Sequence, residues 1–174
     1  MTKAIPDSYW VLPGCFMAGE YPCSLDEAQA RRKARWLLEM GVSFCLDLTQ
    51  AGEAGLCLYA PLLYEEAAAM GRQVRHERMP VPDMTAPSVE EMKRILDALD
   101  AALAQGQVVY AHCYGGIGRT GTLVGCYLAR HGMAQGEAAI ARIAELRRGT
   151  PDGWKRSPET EAQRRLVTGW AIGA

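Results

Sequence analysis

The segment QVVYAH, residues 107–112, narrows the folds open to this chain more than any other feature. It is β-branched or apolar on both faces, which is typical of a central strand in a parallel sheet covered by helices on each side. His112 also opens the segment HCYGGIGRTG, residues 112–121, which contains four glycines. From Thr120 onward the sequence has helical periodicity up to Gly132. The sequence therefore predicts a strand, a glycine-rich turn and a helix in direct succession.

Strand-like and helix-like segments alternate along the rest of the chain, which is the pattern of an α/β domain. Two short strands are predicted in residues 9–22, where Pro and Gly interrupt apolar residues. A buried strand is predicted in residues 42–49, and residues 74–78 have the weaker pattern of an edge strand. We expect a single domain that comprises residues 1–174.

Helix boundaries follow from capping signals. Ser24 and Ser88 each stand three residues before a glutamate, the spacing of a capping box. Ser157 is predicted to cap the last helix, with Pro158 at its first position. The other helices are predicted from apolar residues at helical spacing. The predicted helices run from Ser24 to Gly41, around residues 61–70, from Ser88 to Gly106, from Thr120 to His131, and over residues 135–148 and 158–171.

The charge balance argues against several classes of protein. The 19 basic and 20 acidic residues among 174 nearly cancel, so the chain has no net positive charge to attract nucleic acid or an anionic membrane. No apolar run approaches the roughly 18 residues that span a bilayer, and residues 1–10 lack the apolar segment of a signal peptide. We therefore expect a cytoplasmic protein with no membrane span; the sequence leaves its oligomeric state open.

The cysteines are spaced irregularly, without a CxxC pair or clustered histidines. This spacing suggests neither a zinc site nor a disulfide framework, and favours reduced thiols. Buried cysteines of this kind are usually inert small hydrophobic residues. The six cysteines are Cys15, Cys23, Cys45, Cys57, Cys113 and Cys126.

The glycine-rich turn has the chemistry of an anion site. Glycines permit positive φ angles and close approach, so the amides of residues 114–119 can converge on one tetrahedral oxyanion at the start of a helix. Arg119 can close this cradle with a bidentate guanidinium. The same field favours the thiolate form of Cys113, which is the nucleophilic form of a cysteine. No metal or cofactor is needed. The predicted phosphate-binding residues are Tyr114, Gly115, Gly116, Ile117, Gly118 and Arg119.

HCYGGIGRTG resembles the phosphate-binding loop HCxxGxxR[ST] of cysteine-dependent protein tyrosine and dual-specificity phosphatases. Its YGG variant looks most like the branch of kinase-associated phosphatase and Cdc14. The VPD of residues 81–83 lies where this family keeps a general-acid aspartate, and SPETEAQ, residues 157–163, resembles its late loop with a water-positioning glutamine. The resemblance implies a three-layer fold of the protein tyrosine phosphatase type, with a mostly parallel central sheet flanked by helices.

The resemblance also implies roles for single residues. Cys113 would be the nucleophile, Arg119 the phosphate clamp, and Asp83 the acid that protonates the leaving oxygen and then acts as base. Thr120 would stabilise the thiolate, and His112 would order the loop and tune the cysteine.

Gln163 would place the hydrolytic water. From the residues alone, each weaker assignment has an alternative: Asp83 as a turn residue, His112 as a core histidine, and Gln163 as a solvated helix residue. His76 and His131 are interpreted as surface or capping residues.

Residues 114–118 contain no lysine or arginine, unlike loops tuned for highly phosphorylated inositol lipids, and no segment builds the deep wall of strict phosphotyrosine enzymes. We therefore predict a shallow site for phosphotyrosine in a protein or peptide, with phosphoserine and phosphothreonine as further substrates. The alternatives are an inositol or lipid phosphate, a rhodanese-like sulfurtransferase, and a phosphate-binding module without catalysis.

Overall fold

The computed structural model describes residues 3–174. A five-stranded sheet forms its centre, with the strand order β1-β2-β5-β3-β4. Only β1 is antiparallel to its neighbour; β2, β5, β3 and β4 run parallel. The predicted mostly parallel sheet is therefore confirmed. The strands are β1 (Tyr9–Leu12), β2 (Phe16–Gly19), β3 (Val42–Asp47), β4 (Arg75–Arg78) and β5 (Val108–His112).

Helices cover both faces of the sheet, which completes the three layers. One buried cluster lies between the sheet and α3 to α6, and a second lies between the sheet and α1 and α2. The helices are α1 (Glu27–Glu39), α2 (Ala60–Ala69), α3 (Val89–Ala104), α4 (Arg119–Arg130), α5 (Glu137–Arg147) and α6 (Glu161–Thr168). A 3₁₀ turn, Glu53–Gly55, precedes α2.

Strand β5 is central, as its apolar pattern predicts. Val109 and Ala111 face the cluster under α3 to α6, whereas Tyr110 faces the cluster under α1 and α2. Both faces are buried, because β2 and β3 flank β5 and helices cover each side. His112 lies level with Gly19 of β2 and Asp47 of β3, so the carboxyl ends of three strands meet at one edge.

Two of the predicted helix starts are displaced. Asp26, rather than Ser24, caps α1: its side chain accepts a hydrogen bond from the amide of Gln29 at 3.0 Å. Thr160, rather than Ser157, caps α6, so residues 157–160 form a turn ahead of the helix. Both segments contain several residues able to cap, and the turn geometry selects among them. The capping box predicted at Ser88 is confirmed.

The expectation that all cysteines are reduced is wrong for one pair. Cys23 and Cys57 form a disulfide, with their Cα atoms 6.5 Å apart. The chain brings them together because the segment after β2 runs beside the segment before α2, a proximity that the linear spacing of 34 residues does not reveal. The free cysteines in residues 3–174 are Cys15, which is exposed, and the buried Cys45, Cys113 and Cys126.

Across the described residues, none of the helices combines the length and apolar character needed to cross a membrane. The same residues contain no cluster of three or more His, Cys, Asp or Glu side chains placed to bind a metal ion.

Candidate active site

The glycine-rich turn lies at the carboxyl edge of the sheet, between β5 and α4. Cys113 follows the last residue of β5 and is 3% exposed, and Arg119 is the first residue of α4. Gly116 has a φ of 69°, and a Cβ on it would lie 2.5 Å from the carbonyl carbon of Gly19. Only glycine fits there, because the turn packs directly against the end of β2. We call residues 113–119 the phosphate loop.

Arg119 lies almost fully buried among acceptors from two loops, the one after β3 and the one after β4. Its Nη1 and Nη2 donate to both carboxylate oxygens of Glu53 at 2.7 and 2.6 Å, and Nη1 also donates to the Val81 carbonyl at 3.0 Å. Nη2 lies 2.9 Å from Asp83 Oδ1. The Nε–H is buried and has no partner within the described chain, which leaves one donor free for a bound anion.

The pairing with Glu53 favours the charged form of both groups. Burial alone would lower the pKa of Arg119, but the Glu53 carboxylate and the nearby Cys113 raise it above its ordinary value. The hydrogen bond from Arg119 in turn lowers the pKa of Glu53. Sequence reasoning missed Glu53, because it lies 66 residues before Arg119 in an ordinary turn.

Asp83 lies on a loop that is anchored beside the phosphate loop. The amide of Val81 donates to the Leu48 carbonyl at 3.0 Å, and the Thr85 hydroxyl donates to the Pro82 carbonyl at 2.7 Å. The Asp83 side chain itself is 57% exposed, although it touches Arg119. The structure thus brings Asp83 to the mouth of the site while leaving it in contact with solvent.

His112 lies fully buried beneath the phosphate loop. Its Nε2 is 2.7 Å from the Tyr59 hydroxyl, and its Nδ1 is 3.3 Å from the carbonyl oxygen of Cys113. Burial lowers the pKa of His112 to about 4, although Asp47 opposes the shift. A neutral imidazole with the proton on Nδ1 satisfies both contacts, since Nδ1 then donates to Cys113 and Nε2 accepts from Tyr59.

Asp47 is a buried carboxylate at the end of β3 that sequence reasoning also missed. Thr49 donates to it through its amide and its hydroxyl, at 2.8 and 2.6 Å. His76 and Arg78 of β4 contact the other oxygen at 3.2 and 2.8 Å. Burial would raise the pKa of Asp47, but these hydrogen bonds and the nearby His112 hold it well below its usual range.

The interpretation of His76 as a surface residue is therefore wrong, because its side chain is 14% exposed and bonded to Asp47. An available signal was the acidic residue that ends the buried strand VSFCLD. A buried carboxylate at the end of a strand needs hydrogen-bonding or ionic partners, and β4 supplies His76 and Arg78.

Thr120 and Gln163 are both buried beside the phosphate loop, Thr120 towards β2 and Gln163 against Gly118. The Thr120 hydroxyl is buried and 3.5 Å from the Gly19 carbonyl. Gln163 is fully buried, so its interpretation as a solvated helix residue is wrong. Its amide donates to the Thr85 carbonyl at 3.0 Å and thereby joins α6 to the Asp83 loop. All three sequence motifs therefore meet at one site.

The amino-acid sequence matches the model of a known protein family over nearly the whole chain. The sequence model described as PTP-SAK, "Swiss Army Knife protein, DSP-PTPase phosphatase domain", matches residues 6–167. The chain belongs to this family. The resemblance drawn from HCYGGIGRTG is thus confirmed.

Curated relatives of this PTP-SAK chain are phosphatases by name. The chain is 32% identical over 88 residues to the tyrosine-protein phosphatase CDC14 of Candida albicans, and this alignment covers 50% of the chain and 16% of that protein. It is 28% identical over 123 residues to the phosphatidylglycerophosphate phosphatase PTPMT1 of Arabidopsis thaliana, which covers 67% of this chain and 36% of that one. The chain thus spans well under half the length of these relatives.

Solved structures share the fold of this PTP-SAK domain. The active form of Tk-PTP superposes with a TM-score of 0.68 and 23% identity, over 93% of this chain and 94% of that one. Kinase-associated phosphatase with its catalytic-site cysteine replaced by serine gives a TM-score of 0.71 and 19% identity, over 92% and 90%. These likenesses confirm the protein tyrosine phosphatase-like architecture.

Proposed function

We propose that this chain hydrolyses phosphotyrosine in proteins or peptides through a cysteinyl-phosphate intermediate. One observation carries the proposal: Cys113, at the carboxyl end of β5, lies in the same glycine loop as Arg119, whose guanidinium is 2.9 Å from Asp83. A nucleophile, an anion clamp and a proton donor are the three groups that displacement at a phosphate monoester needs.

In the first step, the Cys113 thiolate attacks phosphorus and the bond to the leaving oxygen breaks. Asp83 gives its proton to that oxygen, and the amides of residues 114–119 hold the phosphoryl oxygens. Arg119 donates its free Nε–H and, as substrate enters, exchanges its Asp83 contact for the phosphate. Glu53 keeps its own bidentate contact, so the guanidinium stays fixed in orientation.

In the second step, water attacks the phosphocysteine and Asp83 removes its proton. The sulfur leaves with the electron pair as a thiolate. Thr120 is buried beside Gly19 and supports the loop at the point where this charge returns. His112, held neutral by burial, donates from Nδ1 to the Cys113 carbonyl and maintains the loop conformation without adding charge.

The groove beside the phosphate loop favours phosphotyrosine over multiply phosphorylated inositol. Its volume is about 450 Å³. Tyr114 and Leu25 form exposed apolar edges suited to an aromatic ring and its flanking residues. Lys33 is the one cation among the described residues that line the groove, and it lies 4.0 Å from Glu20. Additional phosphates would need more cations than this.

A lipid phosphate is the second candidate, and the relative named phosphatidylglycerophosphate phosphatase favours it. A single phosphate on a lipid places the same demand on the loop as phosphotyrosine does. The two candidates differ in what occupies the apolar edges, an aromatic side chain or an acyl-glycerol group.

The cytoplasmic location and the single domain over residues 1–174 stay predictions. The Cys23–Cys57 disulfide is an observation against a reducing compartment, because such bonds are rare there.

The test compares kcat/KM for a phosphotyrosine peptide, the matching phosphoserine peptide, and vesicles that contain phosphatidylglycerophosphate, with chelator present. We expect the phosphotyrosine peptide to be hydrolysed fastest and Cys113→Ser to be inactive on all three. A preference for the vesicles would support the lipid candidate. Inactive wild type, or sulfur transfer from thiosulfate to cyanide, would overturn the phosphatase proposal.

A further inference from the structure

A carboxylate, that of Glu159, lies against the phosphate loop from the turn before α6. Gly118 is the loop residue immediately before Arg119, and it lacks a side chain. A Cβ placed on Gly118 would lie 3.2 Å from Glu159 Oε2, and 3.1 Å from both Oε1 and Nε2 of Gln163, so the two side chains lie side by side against the loop. Glu159 therefore occupies the rim of the loop on the side that faces α6.

The turn that carries Glu159 is fixed to the phosphate loop at two points. The Ser157 hydroxyl donates to the Ile117 carbonyl at 2.7 Å. The amide of Glu159 itself donates to Gln163 Oε1 at 3.0 Å. The backbone under the carboxylate is thus held from both ends, although its side chain is exposed.

The amide of Gln163 is already engaged in structural hydrogen bonds. Its Oε1 accepts from Glu159 and from Thr160, each at 3.0 Å, and its Nε2 donates to the Thr85 carbonyl at 3.0 Å. An amide oxygen has two lone pairs, so both acceptor positions are filled. Gln163 therefore has no acceptor left to bind a water hydrogen.

The Glu159 carboxylate, by contrast, has oxygens free to accept a hydrogen bond. Within residues 3–174 it forms no ion pair, because the nearby Arg156 binds Glu161 and Arg164 binds Glu137. A carboxylate that rests on the loop rim with free acceptor oxygens can take a hydrogen bond from a water molecule above the phosphate.

We propose that Glu159, rather than the predicted Gln163, orients the attacking water in the second step. This rests on the proposed function. The water oxygen forms a bond to phosphorus while the P–S bond breaks, and Cys113 leaves as the thiolate. One water proton passes to Asp83, and the other hydrogen stays hydrogen-bonded to Glu159. Gln163 is then a positioning residue that joins the turn to the Asp83 loop.

The roles of Glu159 and Gln163 are distinguished by measuring the two half-reactions separately in variants of each residue. Rapid-quench kinetics with p-nitrophenyl phosphate measures formation and decay of the phosphoenzyme separately. We expect Glu159→Ala to slow decay roughly tenfold to a hundredfold, the range that a misplaced reactant costs, with formation changed by less than about twofold. Glu159→Gln keeps an acceptor oxygen and should recover most of the decay rate. Gln163→Ala should slow formation and decay together, because Asp83, which acts in both steps, loses its anchor at Thr85.

Glu161→Ala is the matched control, since it removes an exposed carboxylate two residues away and should leave both rates unchanged. Decay in Glu159→Ala at the wild-type rate, or equal slowing of both steps, would overturn the assignment of Glu159. A Gln163→Ala variant that slows decay alone would return the role to Gln163. Wild type that forms no phosphoenzyme would refute the proposed function itself, and this assignment with it.

Discussion

Single residues at this site are oriented by contacts with residues from distant parts of the chain. Arg119 is oriented by Glu53, and Asp83 reaches Arg119 from a third loop. None of these pairs is close in sequence. The residue types in the glycine-rich motif therefore predict a nucleophile and a clamp, whereas the groups that hold them become visible only in the folded chain.

Asp83 is predicted to act on the leaving oxygen. Asp83→Asn keeps the size of the side chain but cannot donate an acidic proton, so kcat for a phosphotyrosine peptide should fall about 10²- to 10³-fold. The fall should be smaller for p-nitrophenyl phosphate, whose leaving group needs less protonation. Steady-state kinetics checks this, with Asp97→Asn on the exposed face of α3 as control. Equal losses on both substrates would contradict the role of acid.

The lowered pKa of the buried His112 side chain leads us to predict that the free energy of unfolding depends on pH. Burial lowers its pKa to about 4, whereas the unfolded chain has the ordinary value near 6.5. Between these values the unfolded state binds more protons, so stability is lost as pH falls. The contribution of His112 is on the order of 3 kcal/mol, complete above about pH 6.5 and gone below about pH 4.

Urea unfolding at about pH 7 and about pH 4.5 measures this difference. His112→Gln should be less stable than wild type at the higher pH and should lose less free energy of unfolding on acidification. Val108→Ala, a substitution in the same strand that does not titrate, should leave the pH dependence as in wild type. Equal pH dependence in wild type and His112→Gln would show that the buried imidazole is not its source.

At the scale of elements, the phosphate loop is shaped by its packing against the end of β2. Gly116→Ala should meet two costs, the positive φ of 69° and a Cβ that would lie 2.5 Å from Gly19. The loop must shift, and if its amides bind the phosphoryl oxygens as proposed, displacing them by about 1 Å costs on the order of 10²-fold in rate. We expect kcat/KM to fall by at least that factor.

Gly14→Ala is the control for this substitution. Gly14 has a φ of 73°, close to that of Gly116, but a Cβ added to it would have no atom within 4 Å. It should lose stability by about 1 to 2 kcal/mol and keep its activity. Similar activities for the two variants would mean that contact with β2 does not shape the loop.

The Cys23–Cys57 disulfide joins the segment after β2 to the segment before α2. A cross-link across 34 residues stabilises a fold by about 3 to 4 kcal/mol in the chain-entropy model. Cys57→Ser should lower the free energy of unfolding by about that amount, and reductant should remove the difference from wild type. Cys15→Ser, at an exposed free thiol, is the control in urea unfolding. Equal stability of Cys57→Ser and wild type without reductant would contradict a formed disulfide.

Elements with a strong local sequence pattern could be predicted. Features that depend on a choice between several capable residues, or on a partner distant in sequence, could not. The apolar faces of β5 and the capping box at Ser88 depend on neighbours in sequence, and both are confirmed. Ser24 and Asp26 are both able to cap α1, so the choice between them depends on how the chain leaves β2. Partners such as Glu53 and Cys57 lie 66 and 34 residues from the residues they contact, and no local pattern marks them.

On the scale of the whole molecule, the parallel arrangement of the strands explains why the loops of the site lie together. The carboxyl ends of β2, β5 and β3 lie level at Gly19, His112 and Asp47, so the loops that follow them converge above one edge. Ligands bind at this edge in open α/β sheets generally. The buried clusters on the two faces keep these strand ends in register, and the loops of the candidate site are thereby held by the core of the fold.

The proposed mechanism requires Cys113 to carry the phosphoryl group during turnover. Acid quenching during hydrolysis of a phosphotyrosine peptide, followed by mass spectrometry of the peptide that contains residues 107–121, tests it directly. We expect a phosphoryl group on Cys113 in wild type, a larger trapped fraction in Glu159→Ala, and none in Cys113→Ser. Phosphate release by wild type with Cys113 unmodified, or turnover retained in Cys113→Ser, would contradict it.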